Sequence, residues 1–262
     1  MKTKLFAAVV ALSGVLFCGP LKADLPGTIA KVKPSVLIVG TYKATNSPRF
    51  GLRGTGFMVG QAGSGSSNLV ITNAHVLPQP AEEDVDAALV VQVRTNPDEL
   101  QMRAAVVLEV DKVHDLALLR IEGPSIQALT IGDSDSAQEG QAIAFTGFPI
   151  GGALGFSPVT HRGMISSIAA AALPIVSARG LNEKTIRSLR GGSFNVFQLD
   201  GTAYPGNSGG PLFDPDTGVV LGVVNMVFIK GTRESALSTP SGISYAIPSK
   251  FIEALLQRHK PR

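Results

Sequence analysis

Residues 206–212 read Gly-Asn-Ser-Gly-Gly-Pro-Leu. Glycine accepts φ > 0 without strain, so a serine flanked in this way can ride a tight turn with its hydroxyl exposed. Such a turn also aims neighbouring backbone N–H groups at one point. Those of Gly206 and Ser208 would form a cradle for a developing oxyanion. A nucleophilic serine further needs a base, and the base needs a group that orients it. His75 stands in Thr-Asn-Ala-His-Val, just past the apolar run at 68–71, where an imidazole can act as general base. Asp115 heads the apolar run 116–121, where a carboxylate can lie against an imidazole and fix its tautomer. Asp111 is a rival acid, but it comes a turn earlier and lacks the apolar continuation. His114 is a rival base, with a side chain expected to alternate away from that of Asp115. Each of these residues alone reads equally as a turn or surface residue. Together they point to acyl transfer through Ser208.

Other chemistries have less footing. Cys18 is the single cysteine, and the four histidines (His75, His114, His161, His259) show no ligand spacing, so neither metal nor cofactor is expected. The formal net charge is +3, from 23 basic and 20 acidic residues. Three of the basic residues, Lys2, Lys4 and Lys22, fall in the first 23 positions with no acidic residue beside them. Without that stretch the balance is 20 to 20, which removes the electrostatic basis for nucleic-acid binding. The basic segment 184–190 is expected to be a solvated face. The first 23 residues have the three parts of an export signal: a basic start, an apolar run at 5–17 and a small residue, Ala23, at the cut. That run falls short of the roughly 20 residues a membrane span needs, so no stable anchor is expected after cleavage. The mature chain, 24–262, would be exported to the periplasm or secreted. It would hold no cysteine and would depend on burial rather than disulfides.

The elements that must position these residues are strands. Low charge (16%) and 29 glycines suit an all-β protein with many turns. Runs rich in Val, Ile and Leu, broken by Gly, Ser, Asn, Pro and Asp, fall at 35–44, 53–60, 68–72, 87–94, 103–110 and 116–121. A second set falls at 128–131, 141–146, 160–168, 193–199, 211–213, 219–228 and 243–247. Their spacing predicts two β-barrels or a large sandwich, joined by residues 122–127. A short lead-in helix is predicted within 25–33, and a C-terminal helix over 248–258 with Pro248 in its first turn. Residues 170–192 read as loop and partial strand.

The order His75, Asp115, Ser208 is that of chymotrypsin-type triads. With the stretches at 54–59 (Gly-Thr-Gly-Phe-Met-Val), 147–149 (Gly-Phe-Pro) and 243–249 (Ile-Ser-Tyr-Ala-Ile-Pro-Ser), the chain resembles trypsin-like serine proteases of the HtrA/Deg branch. The resemblance spans nearly all of 25–256. It implies two six-stranded antiparallel barrels, at about 34–122 and 127–248, with the site in the cleft between them. His75 and Asp115 would come from one barrel and Ser208 from the other. It implies polypeptide substrates and a primary pocket lined by Thr202, Tyr204, Asn225, Met226 and Val227. No acidic residue, His or Arg stands in those stretches, so small to medium apolar side chains are the expected substrates. Asn207 replaces the Asp by which digestive relatives pair with a freshly cut N-terminus, so that form of zymogen activation is not expected. About fourteen residues follow Pro248, which leaves no room for the PDZ domain many members carry. Members that trimerise use N-terminal residues, and the brief mature N-terminus leaves monomer and trimer both open. An alternative is a binding or chaperone-like protein on the same fold, with its triad at rest.

Overall fold

Short runs of β-branched and aliphatic residues separated by turn-formers leave little room for helices, and the chain folds accordingly. The structure, a computed structural model, describes residues 24–60, 64–78, 86–96, 99–150, 155–171, 194–225 and 243–259. After helix α1 (Leu25–Val32) come β1 (Val36–Tyr42), β2 (Phe50–Val59), β3 (Ser66–Ser67), β4 (Leu69–Asn73), β5 (Ala88–Asn96), β6 (Glu99–Asp111) and β7 (Leu116–Ile121). Six of these close an antiparallel barrel in the order β1-β2-β4-β7-β6-β5. Then follow β8 (Ile126–Gln127), β9 (Ala142–Gly147), β10 (Val159–Ala170), β11 (Asn195–Asp200), β12 (Pro211–Phe213), β13 (Val220–Asn225), β14 (Ile243–Pro248) and helix α2 (Lys250–Arg258). A second antiparallel barrel closes as β10-β11-β14-β13-β12-β9. Closure leaves no unpaired strand edge on either barrel.

Each barrel has its own interior. Leu37, Met58, Val70, Val91 and Leu119 fill the first; Ile143, Phe145, Phe197, Leu199 and Leu212 fill the second. A third cluster joins them: Val36, Phe57 and Leu116 from the first barrel meet Ala144, Phe213, Val223 and Ile247 from the second. Helix α2 adds Ile252 and Leu255 to this seam, and both are fully buried. The relative placement of the two barrels is therefore fixed by close packing, which tolerates little sliding.

Some local expectations need correction. Residues 128–131 form no strand. The pairing falls earlier, where β8 meets β3, while Leu129 and Ile131 make only single bridges to Val59 and Val220. Apolar composition there reflects burial in the seam between barrels rather than a ladder. Pro248 ends β14 instead of opening the helix, because its partner across the sheet is Gly222 and Ser249 takes the N-cap position. Strands β2 and β6 begin earlier than their apolar runs, at Phe50 and Glu99, as pairing with β1 and β5 carries polar residues into the ladder. The export segment 1–23, the basic run 184–190 and most of 170–192 lie outside the described residues.

Candidate active site

Strands β4 and β7 pair so that Asn73 lies opposite Leu116. That register sets the turn after β4, which carries His75, beside the residue that precedes β7, which is Asp115. The two side chains meet: His75 Nδ1 lies 2.6 Å from Asp115 Oδ2. The His75 backbone N–H donates to Asp115 Oδ1 at 2.9 Å. A carboxylate only accepts, so Nδ1 carries the proton and the Nε2 lone pair is left to take one from a hydroxyl. Asp115 has φ 53°, in the left-handed region that aspartate tolerates better than most residues. Its carbonyl is held by the Asn73 side-chain amide at 3.0 Å and the Ala74 N–H at 3.1 Å. Asn73 is itself wholly buried, so the acid is anchored on both its backbone and its carboxylate.

Asn225 ends β13 in the second barrel. Its side-chain amide donates to Asp115 Oδ2 at 2.7 Å. The sequence resemblance places Asn225 in the substrate pocket; the structure adds a contact across the seam to Asp115. A buried amide at a strand end can serve either task, and only the register of the two barrels brings it to the acid. Of the other pocket candidates, Thr202 and Tyr204 are half-buried in the segment leading to Ser208, while Met226 and Val227 lie outside the described residues. That segment is stapled by Ser244, whose hydroxyl donates to the Gly201 carbonyl at 2.7 Å and accepts from the Ala203 N–H at 2.8 Å.

The Ser208 turn is built from backbone. Gly206 has φ 105° and Gly209 φ 87°. A Cβ on Gly206 would strike the Phe148 carbonyl, and one on Gly209 the Thr55 carbonyl. The Asn207 N–H donates to the Tyr204 carbonyl at 2.9 Å, and the Gly209 N–H to Val224 at 2.9 Å. Among the described residues neither the Gly206 nor the Ser208 N–H bonds another backbone carbonyl. The Pro205 carbonyl accepts from the Ile150 N–H at 2.9 Å. Since the peptide is trans, the Gly206 N–H points the opposite way. Ile150 holds this bond from φ 57°, an unusual conformation for a β-branched residue.

Thr55 ties this turn to the first barrel, a role sequence reasoning missed. Its N–H donates to the Ser208 carbonyl at 2.8 Å, and its hydroxyl donates to the Gly206 carbonyl at 2.6 Å. The same hydroxyl accepts from the Phe148 N–H at 3.1 Å. The signal for it was its position between two glycines in the 54–59 stretch. Gly54 is close-set: a Cβ there would lie 2.8 Å from the Ser208 carbonyl and 2.7 Å from Val76, the residue after His75. Ser208 and the His75 turn therefore both close on Gly54. Ser208 is 3% exposed, and among the described residues its hydroxyl makes no hydrogen bond to His75. Such bonds commonly tighten only when substrate arrives.

The rival residues form a pair of their own. His114 Nδ1 bonds Asp111 Oδ2 at 2.9 Å, and the His114 ring stacks on Phe251 of α2. The His114 and Asp115 side chains do part company, because the turn at Asp115 separates them before the strand begins. Burial pushes the Asp111 carboxyl up, but hydrogen bonds from His114 and Arg258 outweigh it and draw its pKa from 3.8 down to about 2. A third histidine lies behind the pocket segment. His161 stacks on Phe145 at 4.9 Å and sits 6.1 Å from the Tyr204 ring. Burial lowers its pKa, and its Nε2 is buried without a partner among the described residues. No group of three His, Cys, Asp or Glu side chains among the described residues is arranged to hold a metal ion.

Comparisons agree with this architecture. The trypsin-like peptidase domain family matches residues 54–223. A probable periplasmic DegP-like serine endoprotease of Marinomonas sp. (strain MWYL1) is 33% identical over 208 residues, covering 79% of this chain and 35% of the relative. The mitochondrial serine protease HTRA2 of Drosophila ananassae is 30% identical over 209 residues, covering 80% of this chain and 39% of the relative. The chain thus spans little more than a third of these relatives' length. Among solved structures, the HtrA-type protease AlgW with a tripeptide superposes with a TM-score of 0.62 at 25% identity, over 89% of this chain and 62% of that one. The chain belongs to the trypsin-like peptidase family, in its HtrA/DegP branch.

Proposed function

We propose that this chain is an exported serine endopeptidase that cuts polypeptides through an acyl-enzyme on Ser208. The observation that carries this reading is the His75–Asp115 couple at 2.6 Å, with Nδ1 as donor and Nε2 on the free side of the ring. In the reaction His75 Nε2 takes the Ser208 hydroxyl proton as Oγ attacks the scissile carbonyl. Asp115 keeps the tautomer and stabilises the imidazolium, itself steadied by Asn225. The Gly206 and Ser208 N–H groups receive the oxyanion. His75 then gives its proton to the leaving amine, and water repeats the sequence to release the acid. Apart from that water, the groups in this sequence are side chains and backbone N–H groups of this chain.

The family supports polypeptide substrates, and the tripeptide named with AlgW is of that class. Thr202 offers no charge to a basic substrate side chain, so cleavage after Val, Ala, Leu or Met fits the segment best. The signal pattern at 1–23 supports export. A role in clearing unfolded exported proteins accords with the branch. The test is incubation of reduced, carboxymethylated casein with the purified chain and with Ser208→Ala, with product termini read by mass spectrometry. We expect cuts after those four residues, absent in the variant. Casein bound equally by both proteins and cut by neither would favour the binding-protein reading.

A further inference from the structure

Asp115 is the last residue of a turn that opens at Asp111, and that turn is gripped from outside its own barrel. Asp111 Oδ1 accepts the backbone N–H groups of Val113 and His114, both at 3.1 Å, which closes the turn. His114 then projects onto elements of the second barrel. Its ring lies 3.8 Å from that of Phe251 at an interplanar angle of 20°, a parallel stack. Phe194, just before β11, meets it edge-on at 4.7 Å and meets Phe251 edge-on at 5.4 Å. Arg258, about two turns further along the same face of α2, donates from Nη2 to Asp111 Oδ2 at 2.8 Å.

Stacked and edge-on aromatic contacts stabilise beyond the area they bury. They are also directional, so they fix the angle of the His114 ring and not only its depth. His114 is bonded through one peptide to Asp115, whose backbone is in the left-handed region. Extended chain can absorb a shift of its neighbour over several residues; a single left-handed residue between a clamped ring and the head of β7 has less freedom to do so. We infer that His114 is a positioning residue for the catalytic acid, through which helix α2 holds Asp115 at its distance from His75. This rests on the triad reading above. The stack does the holding, since Asp111 retains Arg258 and two backbone donors without it.

The experiment measures fluorophosphonate inactivation, with its maximal rate separated from its binding constant, for wild type, His114→Ala and His114→Phe. Each is also examined by proton NMR for the far-downfield Nδ1–H signal of the His75–Asp115 hydrogen bond. In His114→Ala the maximal rate should fall about tenfold with the binding constant unchanged within twofold, and the downfield signal should move or broaden. His114→Phe keeps the stack and should restore the rate to within about threefold. A folded His114→Ala with the wild-type rate and signal would overturn the assignment. So would His114→Phe behaving like His114→Ala. Should His114→Ala not fold, Phe251→Leu removes the same stack from the helix side and is read by the same criteria. Ser208→Ala run alongside separates the two ideas: labelling that survives it contradicts the nucleophile, whereas the NMR signal still reports on His114.

Discussion

Two His–Asp pairs flank the turn before β7, and the same two residue types are partnered differently in each. His75 and Asp115 lie 2.6 Å apart with side chains 31% and 21% exposed; His114 and Asp111 lie 2.9 Å apart at 21% and 9%. Both acids take a second partner from the other barrel. For Asp115 it is the neutral amide of Asn225, which orients the carboxylate without neutralising it. For Asp111 it is the Arg258 guanidinium, which satisfies its charge. The imidazoles differ in the same sense. The His114 ring is packed against Phe251 and Phe194, while His75 has no aromatic contact among the described residues. A His–Asp pair suits proton transfer when its carboxylate is left to answer the imidazolium alone; Asp111 already answers Arg258.

That contrast can be broken most sharply at the acids. Asp115→Asn removes the acceptor that fixes the His75 tautomer, and casein hydrolysis should fall by about 10⁴. Asp111→Asn keeps an oxygen for the two backbone donors, so its loss should stay below about tenfold. Equal losses would erase the distinction between the pairs. Next in size, Thr55→Val deletes the hydroxyl that holds the Gly206 carbonyl and the Phe148 N–H; the fluorophosphonate rate should drop by about 10², as for a disordered oxyanion donor. Asn225→Ala leaves both His75 bonds to Asp115 in place and should cost about tenfold in turnover with little change in substrate affinity. If Asn225 served the pocket instead, the loss would appear in affinity.

The two smaller effects concern stability. The folded-state pKa of Asp111, about 2, lies below its unfolded value of 3.8. Its pairs therefore stabilise the fold above about pH 4, and that contribution is lost as pH falls toward 2. Acid unfolding followed by circular dichroism should be less steep over that window in Asp111→Asn. His161 works in the same direction for a different reason: burial disfavours its charged form, whereas Asp111 is held in its charged form. Burial lowers its pKa, so protonation favours the unfolded chain and stability declines as pH drops below about 6.5. His161→Phe replaces an unpartnered buried nitrogen by a ring of similar shape. It should raise stability by about 1 kcal/mol, or about 2–4 °C in Tm, and flatten that decline.

Much of the site was legible because its residues obey local rules. Ser208 was found from glycines that a left-handed turn demands, His75 and Asp115 from their places beside apolar runs. Strand spacing narrowed the fold to two barrels or a sandwich, and the resemblance to trypsin-like proteases selected the barrels. What escaped depends on register across the seam. Nothing in the local sequence says that Asn225 should reach Asp115, or that Thr55 should hold the Gly206 carbonyl, because each contact joins residues more than 100 positions apart. The apolar stretch 128–131 misled for a related reason: burial between two barrels produces the same composition as a strand. His161 was invisible as a neighbour of Tyr204, since only the pairing of β9 with β10 brings its ring over Phe145.

The most direct test is reaction of the purified chain with a fluorophosphonate, read by intact mass and then by peptide mapping, beside Ser208→Ala. The reagent requires an activated serine and a formed oxyanion cradle together. A single adduct on Ser208 in the wild type, absent from the variant, is the predicted result. A folded wild type that takes no adduct, or takes it elsewhere, would contradict the assignment of Ser208, His75 and Asp115 as one catalytic unit.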